Sequence, residues 1–306
     1  MNKTFFLTGG AGRVITAIPA LEKYAMKNPD DDFKVLIFGW ESLYWGNPIL
    51  QKRTFSAMQK GSFDQFIKNN DLIVPEPYHC RSYYTQQKSM AECFDEIINQ
   101  TNDHSDLYTS KLYVLARENN IVSDIIRGAL QEKKLKKVIV FQPFGSSMSI
   151  IGNQPTDPTN RSLSVEDYFY ITKKLSQHAV VIYFGDSKFL HPEDRHSLNL
   201  APLNPDLRMY MTAISLCDYF LGVDSVGQHM ARSFNKPGTV IMGSTFEKNV
   251  SYPEHFKFFR NGIAPEYNPI RIGGIDSDLS DFANEEVMKF TKQQLDKLVE
   301  SVLKKL

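Results

Sequence analysis

The C-terminal half of the chain alternates buried-strand patterns with amphipathic helix patterns. Four short apolar runs that end in glycine or small residues are VIVFQPFG from Val138, AVVIYFG from Ala179, DYFLGV from Asp218 and GTVIMG from Gly238. Apolar residues at helical spacing fill the intervals 164–177, 206–216 and 226–234. Strands that alternate with helices predict a parallel sheet joined by right-handed crossovers. This half therefore predicts one α/β domain.

A similar pattern opens the chain. TFFL at 4–7 predicts a strand, and KVLIFG at 34–39 predicts a second strand. Between them, Ala17, Leu21, Tyr24 and Ala25 at helical spacing predict a helix. A length of 306 residues suits two domains of about 150 residues each. Because a helix pattern ends in KKLKK before Val138, we predict an N-terminal domain over 1–135 and a C-terminal domain over 136–283. Residues 284–306 predict a final amphipathic helix.

Charge and apolar content exclude several classes of protein. Lys plus Arg equals Asp plus Glu at 35 each, so no net field attracts nucleic acid or an anionic membrane. The N-terminus has a three-residue apolar run, too short for a secretory signal, and no stretch reaches the length of a membrane span. Three scattered cysteines do not form a disulfide framework. We expect a cytoplasmic protein without a membrane span.

The first loop of interest is GGAGR at 9–13, directly after the first strand. Gly10 and Gly12 permit close approach of a ligand to the backbone, and the next helix presents free N–H groups to an anion. Position 15 is Ile, so the third glycine of a dinucleotide motif is missing, and no Walker lysine follows. Arg13 adds positive charge. The alternative is a tight turn with Arg13 in solvent.

The second loop is FQPFGSS at 141–147. Gly145 allows close approach, and Ser146 and Ser147 can donate hydrogen bonds to phosphate oxygens. Arg161 could reach the same place. Small polar residues after a strand also form ordinary turns.

The third loop is the most specific and spans 222–245, GVDSVGQHMARSFNKPGTVIMGST. Asp224 lies at a strand tip, and we predict that Ser225 caps the helix that contains His229. Gly227 lies in the first helical turn, where a side chain would obstruct a group resting on the backbone amides. The alternative is helix capping alone. Three polar groups and a glycine at one strand tip favour a binding function.

These segments resemble glycosyltransferase family 9, the ADP-heptose lipopolysaccharide heptosyltransferases. The similar stretches are GAGRVITAIPAL, GVDSVGQHMA and KPGTVIMGST; residues 40–110 do not match. The resemblance implies the GT-B fold, in which two Rossmann-like domains face each other across a cleft. It further implies that the C-terminal helix crosses back to the first domain, that the second domain holds the donor and that the first holds the acceptor.

The resemblance also implies roles for particular residues. It makes Arg13, Asp224 and His229 the catalytic candidates. The residues it suggests for the sugar nucleotide are Gly12, Gly145, Ser146, Ser147, Arg161, Ser225, Gly227 and Gln228. Val226 stands where the family usually has a glycine.

The sequence departs from the family at a second position, Arg13. It stands where the family has an aspartate that is proposed to take the acceptor proton, and an arginine stays protonated and cannot be a base. Arg13 can instead neutralise a leaving diphosphate or hold an anionic acceptor. The base is then Glu76, Asp95 or Glu96, or the mechanism needs none.

The resemblance predicts a glycosyltransferase that moves a sugar from a nucleoside-diphosphate donor to a hydroxyl acceptor, most simply a saccharide. The nucleotide sugar is a co-substrate, and we expect no permanently bound cofactor. A metal is not required, because the Asp-x-Asp pairs, Asp30 with Asp32 and Asp276 with Asp278, lie in polar stretches typical of solvated loops.

Other functions stay open. One is a bacteriophage-type enzyme that glycosylates hydroxymethylated pyrimidines in DNA. Its candidate platform for phosphates and bases is residues 51–53, Lys60, Arg81, Lys88, Tyr78, Tyr83 and Tyr84. Another is a noncatalytic nucleotide-sugar-binding protein that has lost its base. A nicotinamide dehydrogenase fits poorly, because the third glycine is missing. The sequence leaves open the sugar, nucleobase, stereochemical outcome and oligomeric state.

Overall fold

The computed structural model describes residues 2–151, 154–200, 207–263 and 285–306. Within these ranges one compact unit runs to Tyr113 and a second begins at Val114. Each unit has its own parallel sheet. Asp276, Asp278 and the domain boundary predicted at 283 lie outside the described residues.

The first unit has a four-stranded sheet. Its strands are β1 (Lys3–Leu7), β2 (Lys34–Ile37), β3 (Thr54–Ser56) and β4 (Asp71–Ile73). Its helices are α1 (Ala11–Lys27), α2 (Arg81–Tyr84) and α3 (Met90–Asn99). The strands are parallel in the order β3-β2-β1-β4, so the predicted β1–α1–β2 unit is confirmed.

Helix α1 contains Pro19 and continues through it. A proline has no N–H, so the carbonyl of Ile15, four residues earlier, loses its usual helical donor. The Ser110 hydroxyl donates to that carbonyl at 2.7 Å. A residue at the far end of the unit therefore replaces the missing bond, and the helix has no need to end there.

The second unit has a six-stranded parallel sheet and a separate hairpin. Its strands are β5 (Val138–Gln142), β6 (Ser149–Ile151), β7 (Gln154–Thr156), β8 (Val180–Tyr183), β9 (Ser197–Asn199), β10 (Tyr219–Val223), β11 (Gly238–Ile241) and β12 (Lys257–Phe259). Its helices are α4 (Ala116–Lys133), α5 (Val165–Leu175), α6 (Leu207–Leu216), α7 (Val226–Ser233), α8 (Glu247–Val250) and α9 (Lys292–Leu303). Single helical turns, counted over both units, span Glu41–Tyr44, Gln51–Arg53, Phe63–Ile67, Pro77–His79, Ser187–Phe189 and Glu285–Met288.

The large sheet has the order β12-β11-β10-β5-β8-β9. Every residue of β5, β8, β10 and β11 is buried, which is typical of a parallel sheet covered on both faces. β6 and β7 form the antiparallel hairpin. The alternation predicted for this half of the chain is confirmed.

Helix α4 belongs to the second unit, although the predicted boundary at 135 placed it in the first. It packs against α6 and β8. Glu118 on α4 accepts two hydrogen bonds from Arg208 on α6, at 2.5 and 2.6 Å, and Arg208 is only 1% exposed. The sequence does not show that two residues 90 positions apart form a buried ion pair. The boundary is therefore near residue 113.

Helix α9 packs against α5. Its apolar face, Leu295, Leu298, Val299 and Val302, lies in the same core as the β5 and β10 side chains of the second unit. The resemblance places this helix on the first domain, which stays a prediction; the contacts described here are with the second unit. An apolar stripe shows which face of a helix is buried, but not which surface buries it.

Candidate functional site

The topology of the second unit indicates where a ligand would bind. From β5 the sheet first grows through β8 to β9 and then reverses through β10 to β12. Ligands of open parallel sheets bind outside the carboxyl ends of the strands where this reversal occurs. The reversal falls between β5 and β10, which end at Gln142 and Val223. We refer to the loops after these two strands as the switch-point site.

Gly227 lies at this site, but packing within the protein explains why it is a glycine. Its backbone N–H donates to Gln142 Oε1 at 2.8 Å. A Cβ there would overlap Gln142 Oε1 and lie 2.8 Å from a ring carbon of Phe220. The prediction that this amide is open to a ligand is therefore wrong, because Gln142 occupies it.

Asp224 is buried with both carboxylate oxygens in use. Thr245 Oγ1 donates to one oxygen at 2.7 Å and Gln228 Nε2 to the other at 2.5 Å. Burial raises the pKa of Asp224, while Arg161, Thr245, Gln228 and Arg260 oppose that rise. Asp224 thus joins the loops after β10 and β11.

Gln228 extends the same network. Its Nε2 also donates to the Val250 carbonyl at 3.1 Å, and its Oε1 accepts from the Ser251 hydroxyl. The amide therefore links Asp224 to the segment after α8. Gln228 lies beside Asp224, and its polar atoms bond within the protein.

His229 is buried in the same helix. Its Nδ1 shares a hydrogen bond of 2.9 Å with the Tyr252 hydroxyl. Burial lowers the pKa of His229 to about 4. Its imidazole is therefore neutral near neutral pH, and it can donate or accept a hydrogen bond without carrying charge.

Arg161 connects the two loops of the switch-point site. Its Nη1 donates to the Asp224 carbonyl at 3.3 Å and its Nη2 to Ser147 Oγ at 3.4 Å. Its Nε donates to Thr159 Oγ1 at 2.9 Å. The guanidinium is half-buried, so the structure brings Arg161, Ser147 and Asp224 together as the sequence suggested.

The loop after β5 is held by residues that sequence analysis did not single out. The Gly145 N–H donates to Ser162 Oγ at 2.9 Å, and Ser162 donates to Asp157 Oδ2 at 2.5 Å. Asp157 Oδ1 accepts from both the backbone and the hydroxyl of Thr159. The signal was the Asp157-Pro-Thr159 sequence, because aspartate side chains often bond the backbone two residues on.

The serines at the site differ in what they contact. Ser146 is exposed and Ser147 half-buried, whereas Ser225 is buried in extended conformation before α7. In the described chain, no N–H of α7 donates to the Ser225 side chain. Ser225 thus occupies the N-cap position of α7, as predicted, but its side chain makes no capping hydrogen bond.

The MGST turn after β11 completes this side of the site. A Cβ on Gly243 would collide with the Asn160 carbonyl, so glycine permits the close approach of the 157–162 loop. Arg260 donates to the Gly243 carbonyl at 2.9 Å and to the Thr245 carbonyl at 3.1 Å. Arg260 was not a sequence candidate.

The first unit has a topological reversal of its own. Its order β3-β2-β1-β4 reverses between β1 and β4. Arg13 follows β1 and Glu76 follows β4, and Arg13 Nη2 donates to Glu76 Oε2 at 2.9 Å. The alternative of a solvated Arg13 is therefore wrong.

Arg13 is only 7% exposed, and its guanidinium lies 5.2 Å from the centre of the Tyr78 ring. Gly9 has φ +90, and a Cβ there would lie 2.8 Å from Arg13 Nη1. Across the described ranges, Nε and Nη1 of Arg13 are buried without a hydrogen-bond partner. Gly12 lies beside Arg13 in the first turn of α1, half-buried.

The other two candidate bases lie in different surroundings. Asp95 is fully buried and accepts hydrogen bonds from Lys23, Asn99 and His104 at 2.9, 2.8 and 2.7 Å. Glu96 accepts from Lys88 at 2.6 Å. Asp95 is thus part of a buried network, and Glu96 belongs to an ion pair on α3.

Three of the residues proposed for a DNA platform, Tyr78, Tyr83 and Arg53, are buried or engaged within the protein. Tyr78 and Tyr83 are buried and pack edge to face at 5.0 Å. Arg53 lies over the Phe33 ring and donates to the Asp31 carbonyl. Bases stack on exposed ring faces. Because Tyr78 and Tyr83 are buried, their rings are not available for such stacking.

The described parts of the chain contain neither a membrane-spanning helix nor a cluster of metal-ligating side chains. No helix in those parts is both long and apolar enough to cross a membrane. Among the same residues, no group of three or more His, Cys, Asp or Glu side chains could hold a metal ion.

Comparison with known proteins identifies the fold. No protein-family model matches the sequence, and no curated protein matches it. Among solved structures, E. coli ADP-heptose lipopolysaccharide heptosyltransferase II superposes with a TM-score of 0.63 at 14% identity, over 99% of this chain and all of the other.

Two further structures agree. A family 9 glycosyltransferase from Veillonella parvula gives a TM-score of 0.62 at 11% identity, over 84% of this chain and 85% of the other. E. coli heptosyltransferase WaaC, solved with ADP-2-deoxy-2-fluoro heptose, gives 0.56 at 12% identity, over 98% and 99%. The resemblance seen in the sequence is confirmed at the level of the fold: the chain shares the GT-B fold of the family 9 heptosyltransferases.

Proposed function

We propose that the protein is a glycosyltransferase that uses a nucleoside-diphosphate sugar as its co-substrate, without a permanently bound cofactor. The observation that carries this proposal is the half-buried guanidinium of Arg161, which contacts Ser147 and the Asp224 carbonyl at the sheet reversal. A guanidinium forks onto two phosphate oxygens, and open α/β sheets bind ligands at this place. The shared fold supports the same assignment.

In this proposal the donor diphosphate lies against Arg161 and the loop of Gly145, Ser146 and Ser147. Ser225 offers a hydroxyl that α7 does not use, and the N-terminus of that helix favours an anion. Gly227 and Gln228 set the loop geometry, since their polar groups bond within the protein. Gly12, in the first unit, is assigned to ligand binding by resemblance alone.

Asp224 and His229 have supporting roles in the proposed reaction. Asp224 holds the β10 and β11 loops around Arg161, and the neutral His229 supplies a hydrogen bond without charge. As the bond from the anomeric carbon to the diphosphate breaks, the developing negative charge is stabilised by Arg161 and the α7 N-terminus. We propose that no metal is needed for this step.

We propose a saccharide hydroxyl as the acceptor, bound by the first unit. The buried tyrosines and the occupied Arg53 count against a DNA acceptor. A noncatalytic nucleotide-sugar-binding protein is the second candidate, because Arg13 cannot remove a proton.

The test is calorimetric titration of the protein with ADP-heptose and with ADP-, UDP-, GDP- and dTDP-linked hexoses. We expect one nucleotide series to bind, and nucleoside diphosphate to be released when a bacterial saccharide extract is added, with or without EDTA. Binding without release would favour the noncatalytic candidate. Binding to none of them would refute a nucleotide-sugar site.

Duplex DNA containing hydroxymethylated pyrimidine is tested alongside, by gel retardation at two salt concentrations. A salt-dependent shift would favour the DNA acceptor, because phosphate contacts release counterions. We expect no shift.

A further inference from the structure

We propose that Glu76 is the general base of the transfer reaction and that Arg13 is its positioning residue; this rests on the proposed glycosyltransferase function. Glu76 follows β4 and Arg13 follows β1, the two strands between which the order of the first sheet reverses. A ligand bound to the first unit is expected at that place, outside the carboxyl ends of these strands.

The contacts of Glu76 leave it able to accept a proton. Oε2 accepts from Arg13 Nη2 at 2.9 Å, and Oε1 accepts from the Tyr78 backbone N–H at 3.2 Å. A carboxylate oxygen can accept two hydrogen bonds, so among the described residues each oxygen retains one acceptor position. The side chain is 15% exposed, compared with 7% for Arg13. The carboxylate is therefore the part of the pair nearer to the surface.

Other carboxylates of the two sites are less suitable. Asp95 is fully buried among three donors, and Asp224 is buried with both oxygens engaged. Glu41 follows β2, on the side of β1 away from the reversal. Glu96 lies on α3 rather than after a strand, paired with Lys88.

Arg13 fixes the carboxylate in one orientation. Its guanidinium is buried against Gly9 and the Tyr78 ring, and Glu76 is the carboxylate that it contacts. A charge-assisted hydrogen bond from a guanidinium is short and directional, so it limits the positions that the carboxylate can take. The pair therefore holds Glu76 at the sheet reversal without relying on a flexible side chain.

The proposed step conserves atoms and charge. The acceptor oxygen forms a bond to the anomeric carbon of the nucleotide sugar while the bond from that carbon to the diphosphate oxygen breaks. The proton of the acceptor hydroxyl moves to the free position of the Glu76 carboxylate, and the diphosphate leaves with the electron pair. Water can replace the saccharide in the same step, which gives slow donor hydrolysis.

The experiment measures nucleoside diphosphate release from the nucleotide sugar that the protein accepts, with saccharide extract and with water. We expect Glu76→Gln to lower kcat by about 100-fold or more, the usual contribution of a general base, while the donor KM changes little. Glu76→Asp should recover part of the loss. Arg13→Gln should also lower kcat, with Arg13→Lys recovering part of it.

Asp64→Asn is the control, since it also removes a carboxylate from an ion pair of the first unit, and its kcat should match that of the wild type. Thermal unfolding and donor binding confirm that each variant is folded. If Glu76→Gln keeps wild-type kcat, or if its donor KM rises as much as kcat falls, the assignment of Glu76 is wrong. If the wild-type protein releases no diphosphate from any nucleotide sugar, the proposed function fails and the base assignment fails with it.

Discussion

Gln142 Oε1 accepts the backbone N–H of Gly227 at 2.8 Å, and this hydrogen bond joins the last residue of β5 to the first turn of α7. The two strands beside the sheet reversal are thus linked at their carboxyl ends by a side chain as well as by their ladder. The two loops proposed to bind the donor begin at this hydrogen bond.

Gly227→Ala is expected to lower the free energy of unfolding by about 1–3 kcal/mol, the usual cost of overpacking. The added methyl would overlap Gln142 Oε1 and crowd the Phe220 ring. Urea unfolding measures the effect. Gly128→Ala on α4 is the control: no described atom lies within 4 Å of that Cβ, so it should gain up to about 1 kcal/mol from helix propensity. Equal stability of the two variants would contradict the packing argument.

His229 is expected to make the protein less stable in acid. Its folded-state pKa of about 4 lies below the ordinary 6.5, so the unfolded chain binds the proton more readily. The stabilisation is complete above pH 6.5 and is lost as the pH falls toward 4, by on the order of 3 kcal/mol. Urea unfolding across this range should show a shallower pH dependence for His229→Gln.

His178→Gln serves as the control, because His178 is exposed on the surface of the same unit. Its stability should follow the wild-type pH dependence. If His229→Gln also follows the wild-type curve, burial does not depress the pKa of this imidazole.

Arg161→Gln is expected to weaken binding of the nucleotide sugar by about 10- to 100-fold, since a hydrogen bond to a charged group contributes about 1.5–3 kcal/mol. Calorimetric titration measures the affinity. Arg127→Gln, which removes an exposed arginine from α4, should bind as the wild type does. An unchanged affinity for Arg161→Gln would place the diphosphate elsewhere.

Ser110→Ala is expected to destabilise the first unit by about 1–3 kcal/mol, because it leaves the buried Ile15 carbonyl without a donor. In a Pro19→Ala background the restored N–H can bond to that carbonyl, so the same change should cost less. Urea unfolding of the four proteins gives the coupling energy. An equal cost in both backgrounds would show that Ser110 does not compensate for Pro19.

The sequence predicts most of the α/β framework, because strand and helix periods are local signals. The strands expected from Val138, Asp218 and Gly238 each begin within one residue of the expected start. The ion pair of Glu118 with Arg208 and the packing of α9 on α5 depend on distant parts of the chain. No periodicity in the sequence shows either of these contacts.

The candidate site also combines features that the sequence predicts with contacts that only the folded chain shows. Arg161, Ser147 and Asp224 were expected together, because loops after neighbouring parallel strands meet at one edge. Gly227 and Ser225 were also found at that edge, yet their contacts differ from those predicted. The choice of Glu76 depends on the Arg13 guanidinium lying beside it, and only the folded chain brings the ends of β1 and β4 together.

The bond from Ser110 to Ile15 also bears on the order of synthesis. The ribosome makes α1 near the beginning of translation, but the donor that satisfies its unpaired carbonyl lies 95 residues further on. Until that serine emerges, the Ile15 carbonyl of the nascent helix can accept this hydrogen bond only from water. The first unit can therefore bury α1 completely only after almost all of its own sequence has been translated.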